Sequence, residues 1–210
     1  MKITSSEFEV SSPNLAGCPK RPLPEFALIG RSNVGKSSLV NLITQRRELA
    51  KVSDLPGKTK LINFFIINRN WRLVDLPGYG YAKVQLQRRL EFNESVAEFL
   101  ENREDLVCVF VLIDSRLPPQ AIDLEFLRWL ESCQVPFALI FTKTDKQSVS
   151  KTKANIEVFK KAVGEWRRTL PDVLISSAET RVGREDILKY VEAKLKQRKA
   201  TRAQDESPSA

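Results

Sequence analysis

The sequence predicts a three-layer α/β fold around a doubly wound, mostly parallel sheet with one antiparallel strand. Three observations lead there. Apolar strand runs and amphipathic helix patterns alternate from Phe26 to Leu195. Two of those runs, Leu61 to Ile67 and Trp71 to Asp75, are separated only by Asn68-Arg69-Asn70, which reads as a β-hairpin and makes one strand antiparallel. Between Phe26-Ala27-Leu28-Ile29 and a helix carrying Leu39, Leu42 and Ile43 stands Gly30-Arg31-Ser32-Asn33-Val34-Gly35-Lys36-Ser37. This is the Gly-x4-Gly-Lys-Ser pattern of a phosphate-binding loop, in the strand-to-helix setting that the pattern requires. A chain of 210 residues supplies one well-buried core and is small for two. The expected organisation is an extended lead-in over 1–22, one domain over 23–196 and a flexible tail, basic and then acidic, over 197–210.

Residues 1 to 24 hold Pro13, Pro19, Pro22 and Pro24 with little periodicity, so they read as extended chain laid over the core. After the hairpin, Leu86, Leu90, Asn93, Ala97 and Leu100 fall at helical spacing. Leu106 to Ile113 is a continuous apolar run, as expected of a strand covered on both faces. Pro118-Pro119 precedes a helix with Ile122, Phe126, Trp129 and Leu130 on one side, and Phe137 to Phe141 is a further buried strand. Ile156, Phe159, Val163, Trp166 and Leu170 step by three and four as an amphipathic helix. Asp172 to Ser176 is the last strand, and Ile187, Leu188, Val191 and Leu195 mark the last helix. Their apolar spacing assigns Trp71, Trp129 and Trp166 to the core rather than to base stacking.

Hydrophobic residues at 42% and charged residues at 29% exclude a disordered or fibrous chain. The net charge of +8 favours polyanionic partners such as RNA, although an evenly spread excess would serve only solubility. Cys18, Cys108 and Cys133 lack metal-ligand spacing and are odd in number, which fits reduced, structural thiols in a reducing compartment. No apolar run is long enough to span a bilayer and no secretory core precedes Gly17, so the expectation is a soluble, cytoplasmic monomer without membrane insertion.

The glycines of the 30–37 loop let backbone N–H groups turn around phosphate oxygens, with Lys36 reaching β and γ phosphates and the Ser37 hydroxyl on Mg²⁺. Asp75-Leu76-Pro77-Gly78 ends a strand beside it. There Asp75 is placed to hold Mg²⁺ through water and the Gly78 N–H to meet a γ-phosphate. Pro56-Gly57-Lys58-Thr59-Lys60 is either an ordinary flexible loop or the segment whose Thr59 completes the Mg²⁺ shell. Thr142-Lys143-Thr144-Asp145 follows a buried strand, where the Asp145 carboxylate can accept from guanine N1–H and its 2-amino group together, a pair adenine lacks. Ser176-Ser177-Ala178 is placed for backbone contact with the guanine O6.

These stretches in this order resemble the signature elements of GTP-binding proteins, and more closely the EngB (YihA/YsxC) family of bacterial and organellar GTPases, in the superfamily with Era, EngA, TrmE and septins. The resemblance rests on Leu23-Pro24-Glu25, Gly30 to Ser38, Pro56-Gly57-Lys58-Thr59, Ile62-Asn63-Phe64-Phe65 and Asp75-Leu76-Pro77-Gly78-Tyr79-Gly80-Tyr81-Ala82, and runs from about Phe8 to Leu195. It implies a P-loop GTPase fold, GTP and GDP binding with Mg²⁺, and slow hydrolysis. It also implies association with the large ribosomal subunit or its RNA during assembly, a link to cell division and septation, and no DNA partner. It extends the nucleotide contacts to Gly57, Lys58, Thr59, Lys60 and Leu61, and to Ile175 before Ser176.

The sequence also departs from GTPases at large. Thr142 stands where Asn is usual, which puts one bond to the base and one to the phosphate loop in question. Tyr79 follows Gly78 where signalling GTPases carry a water-positioning Gln, and there is no histidine, so self-activated hydrolysis is expected to be poor. Asn33 either holds a potassium ion between α and γ phosphates, as in the TrmE branch, or only bonds its own loop. Lys189, Lys194, Lys196, Arg198, Lys199 and Arg202 form either an RNA-contacting surface or a solvated face. A signalling GTPase acting on protein effectors is the second reading. An ATP-using phosphotransferase is the third, disfavoured by Asp145.

Overall fold

Seven strands form one sheet in the order β1-β3-β4-β2-β5-β6-β7: β1 Ser6–Ser12, β2 Glu25–Gly30, β3 Ile62–Ile67, β4 Trp71–Asp75, β5 Leu106–Asp114, β6 Phe137–Thr142 and β7 Val173–Ile175. The structure, a computed structural model, describes residues 1–46, 49–50, 61–79 and 94–205. Only β3 opposes its neighbours, pairing antiparallel with β1 and β4, while β4, β2, β5, β6 and β7 run parallel. The β3–β4 hairpin is the expected one. Asn68 and Arg69 both take the left-handed conformation and Asn70 N–H reaches the Ile67 carbonyl, the backbone twist that tight hairpins favour.

Among the described residues five α-helices cover the sheet: α1 Lys36–Thr44, α2 Glu94–Asn102, α3 Ala121–Ser132, α4 Val149–Gly164 and α5 Arg184–Asp205. Side chains alternate across each strand, so the central strands feed two cores. Ala27, Ile29, Val109, Val111 and Phe141 pack with Phe99 of α2, Phe126 of α3 and Phe159 of α4. Phe26, Leu28, Phe110 and Ile140 pack on the other face with Val40 of α1 and Val191 of α5. With both faces covered, β2 and β6 are buried at every position, which is why they read as unbroken apolar runs. Trp71 is wholly buried, and Trp129 and Trp166 pack against the core as expected.

The structure departs from the sequence reading at three ends. Residues 6–12 of the lead-in are a sheet strand. Glu7, Phe8 and Glu9 are exposed, so its apolar signal is thin, and a bulge between Phe8 and Val10 interrupts the alternation. The amphipathic spacing through Trp166 and Leu170 outruns α4, which stops at Gly164. The last helix runs to Asp205, through most of the expected tail, on Gln, Arg, Lys and Ala residues that favour helix without apolar periodicity. Leu86, Leu90 and Asn93 of the expected second helix lie outside the described residues, as do 206–210.

Buried charges close the amino-terminal edge of the sheet. Arg72 and Glu25 are fully buried on adjacent strands, 3.3 Å apart. Arg72 also grips Glu9 of β1 at 2.7 and 3.1 Å, and Arg103 grips Glu25 at 2.8 and 2.7 Å. Every charge has an opposite partner, which permits burial and ties β1 to the body.

Candidate nucleotide site

The parallel strands end on one edge. Asp75 lies beside Leu28, Gly30 beside Leu112, Asp114 beside Thr142 and Phe141 beside Ile175. The 30–37 loop, Leu76 to Tyr79, Thr142 to Asp145 and Ser176 to Ala178 therefore converge where open α/β sheets bind ligands.

The loop is built for an anion. Gly35 has φ 109°, a conformation that L side chains avoid, and it starts α1 with no side chain capping the helix. The first N–H groups of α1 and the positive end of its dipole are left to a ligand. Lys36 folds back over the loop, its Nζ donating to the Gly30 carbonyl at 3.4 Å. Burial lowers its pKa, with Asp75 opposing. At the end of β4, burial pushes the Asp75 carboxyl up to about 6 against the pull of Lys36, and its Oδ1 is buried without a hydrogen-bond partner. A buried carboxylate oxygen without a donor suits a cation or its water. At Gly78 a Cβ would lie 2.6 Å from the Gly30 carbonyl and 3.0 Å from Lys36 Nζ, so only glycine brings this backbone so close to the loop.

The Thr142–Asp145 segment is bound to the same loop. Thr142 Oγ1 donates to the Val34 carbonyl at 2.6 Å and lies 3.2 Å from that of Ile113, so the bond to the phosphate loop that its replacement of Asn put in question is made by the threonine hydroxyl. Lys143, in left-handed conformation, reaches the Asn33 carbonyl at 2.6 Å and Asp114 at 3.0 Å. The backbone N–H of Thr144 donates to the Ser176 carbonyl at 3.3 Å. Asp145 accepts from the buried Ser177 hydroxyl at 2.6 Å and pairs with Lys146 at 3.1 Å. The Ser177 bond foremost, then Lys146, holds its carboxyl below the usual range. A carboxylate offers about four acceptor sites, so capacity remains for a ligand.

Asn33 is exposed with φ 59°, a left-handed conformation that Asn tolerates. Leu61 and Ile175 are exposed at the ends of their strands. Gly57, Lys58, Thr59 and Lys60 lie outside the described residues.

Sequence reasoning missed Asp114-Ser115-Arg116 at the end of β5. Arg116 clasps Asp114 at 2.8 and 2.7 Å. Burial works to raise the Asp114 carboxyl, but Arg116 and then Lys143 outweigh it and bring it to about 2. Gln147 and Asn155 both donate to the Ser115 carbonyl, at 2.7 and 2.8 Å. A cavity of about 170 Å³ lies beside the loop, lined by Arg31, Asn33, Asp114, Arg116 and Lys143 among others. The available signal was positional: this polar triplet directly follows a buried strand, like the motifs that were recognised.

The sequence model of a family described as 50S ribosome-binding GTPase matches residues 25–143. The chain is 50% identical over 192 residues to the probable GTP-binding protein EngB of Christiangramia forsetii, covering 91% of this chain and 97% of the relative. It is 48% identical over 194 residues to that of Flavobacterium johnsoniae, covering 91% and 92%. A crystal structure of a probable GTP-binding protein EngB superposes with TM-score 0.65 at 20% identity, over 82% of this chain and 99% of the other. Era in complex with MgGDPNP and part of 16S ribosomal RNA superposes with TM-score 0.60 at 20% identity, over 81% and 56%, a likeness of fold alone.

Proposed function

Since the chain belongs to the 50S ribosome-binding GTPases and, among them, to the EngB GTP-binding proteins, we propose that it is a GTP-hydrolysing switch that acts on the large ribosomal subunit during its assembly and is needed for normal cell division. The observation that carries the switch reading is the pair of bonds from Thr142 to Val34 and Lys143 to Asn33, which join the phosphate loop to the base-reading segment. The N–H groups of the 30–37 loop and Lys36 hold the phosphates, Gly78 meets the γ-phosphate, Asp145 reads guanine and Ser176 to Ala178 line its O6. Among the described residues no three acidic or cysteine side chains converge. Mg²⁺ would therefore be held by the nucleotide with Ser37, Thr59 and, through water, Asp75, whose unpartnered oxygen fits that use. Bound there, it neutralises charge on the β and γ phosphates.

Hydrolysis is slow in this reading because no Gln follows Gly78. Potassium at Asn33 or a contact from the ribosomal particle supplies the missing positive charge. Turnover in potassium against sodium, with and without large subunits, separates these sources.

No helix among the described residues is long and apolar enough to cross a membrane, in keeping with a cytoplasmic site of action. The RNA-facing surface is α5. Arg198 and Arg202 reach Asp105 at 3.1 and 3.7 Å, while Lys189 and Lys196, in looser pairs with Asp186 and Glu192 at 3.7 and 3.6 Å, keep their side chains exposed and with Lys194 and Lys199 carry the phosphate contacts. Replacing those four lysines with Ala should flatten the salt dependence of pelleting with purified large subunits, and an unchanged slope would remove α5 from the interface.

A further inference from the structure

Three elements meet at Tyr79. Its backbone bridges to Arg31 of the phosphate loop, its hydroxyl donates to Asp123 Oδ1 of α3 at 2.8 Å, and its ring lies against Phe126 with centroids 4.4 Å apart. Both partners of the hydrogen bond are buried, at 8% and 3% exposure, and Asp123 also lines the cavity beside the phosphate loop. Burial raises both the phenol and the carboxyl pKa, with the charge of Arg31 opposing at each, so Tyr79 keeps its proton and remains the donor. One residue earlier, Gly78 is pressed against the Gly30 carbonyl and Lys36 Nζ. This backbone cannot leave Lys36 without straining the Arg31 bridge and the Asp123 bond together.

We propose that Asp123 is a positioning residue for the triphosphate state: acting through Tyr79, it holds the Gly78 N–H where a γ-phosphate oxygen meets it. The proposal rests on the assignment of Gly78 to the γ-phosphate. Asp123 touches no phosphate. Its bond fixes in advance a backbone group that would otherwise have to be ordered when the nucleotide binds. GDP has no γ-phosphate and is indifferent to that placement, so the two nucleotides respond differently when the bond is lost.

The test is titration of the full-length chain with fluorescent GDP and a fluorescent non-hydrolysable GTP analogue, using Tyr79→Phe, Asp123→Ala, their combination and Asp123→Asn. Tyr79→Phe removes one oxygen and keeps the ring on Phe126. The two single variants should weaken the analogue by about three- to tenfold while GDP stays within about twofold, and the double variant should be no worse than the singles. Asp123→Asn, whose amide oxygen still accepts from Tyr79, should recover most of the loss. Equal losses for both nucleotides would reduce the bond to a structural one and overturn the proposal, and so would no loss for either. Gly78→Ala separates the proposal from its premise. A ratio of analogue to GDP affinity left unchanged by Gly78→Ala, whose Cβ also meets the Gly30 carbonyl and so can weaken both nucleotides, would remove the γ-phosphate assignment and the proposal with it. A loss confined to the analogue in Gly78→Ala, with none in Tyr79→Phe or Asp123→Ala, would leave the assignment standing and refute the proposal.

Discussion

The Thr142 hydroxyl donates to the Val34 carbonyl at 2.6 Å, and that bond ties the 142–145 segment to the 30–37 loop. The bond is buried and spans 108 residues of sequence. Thr142→Val keeps the shape and removes the donor, leaving the Val34 carbonyl unpaired. Affinity for GTP and GDP should fall together by about tenfold, and Thr142→Asn, which restores a donor, should fall by less. Equal affinity of Thr142→Val and parent in a fluorescent nucleotide titration would show that the two segments are held together by other contacts.

Asp145 has one oxygen on Ser177 at 2.6 Å, which fixes the orientation of the carboxylate. Asp145→Asn presents an amide donor instead and should bind xanthosine triphosphate in preference to GTP, a change on the order of 10² or more in their ratio. Competition of the two nucleotides against a fluorescent probe measures it, and an unchanged ratio would take the guanine-reading assignment away from Asp145.

Asp114 links the same two loops through Lys143 and gives a pH signature. Its carboxyl stands at about 2 in the fold against an ordinary 3.8, so the proton binds more weakly to the folded state. The stabilisation is complete above about pH 4 and fades as pH falls towards 2. Because the site is partly open to water, its size should be about 1–2 kcal/mol. Parent and Asp114→Asn should differ in urea midpoint at pH 6 and draw together as pH falls from about 4 towards 2. A constant difference would mean that Asp114 acts through packing alone.

Glu25 lies at the opposite edge of the sheet, gripped by Arg72 and Arg103. Glu25→Gln leaves buried guanidinium charge short of its counter-ion and should cost about 3–5 kcal/mol of folding stability. Nucleotide affinity per folded molecule should not change, since among the described residues none of the nucleotide site is hydrogen-bonded to this cluster. Urea unfolding beside nucleotide titration checks both halves, and a loss below about 1 kcal/mol would show that water compensates the arginines.

What the sequence made legible was local. The 30–37 loop declares itself because its strand, glycines and helix are contiguous, and the β3–β4 hairpin because three polar residues cannot hold a crossover helix. Strands β2, β5 and β6 were readable because burial on both faces leaves an unbroken apolar run. β1 was not, since an edge strand with Glu7, Phe8 and Glu9 exposed has little apolar periodicity to display. The ties that turn the motifs into a site were out of reach for another reason. Tyr79 with Asp123, Lys143 with Asp114 and Thr142 with Val34 join residues 44, 29 and 108 positions apart, and nothing local to either partner marks the other. In Arg72 and Glu25 the charges gave no hint of burial, because charged side chains are buried only when paired and the pairing is tertiary.

The central claim, a guanine-nucleotide switch acting on the large ribosomal subunit, meets its most direct test in cell lysate sedimented through a density gradient, with a non-hydrolysable GTP analogue in one sample and GDP in the other. The account predicts that the protein migrates with the large subunit in the first sample and stays near the top in the second. The same position near the top in both would contradict it.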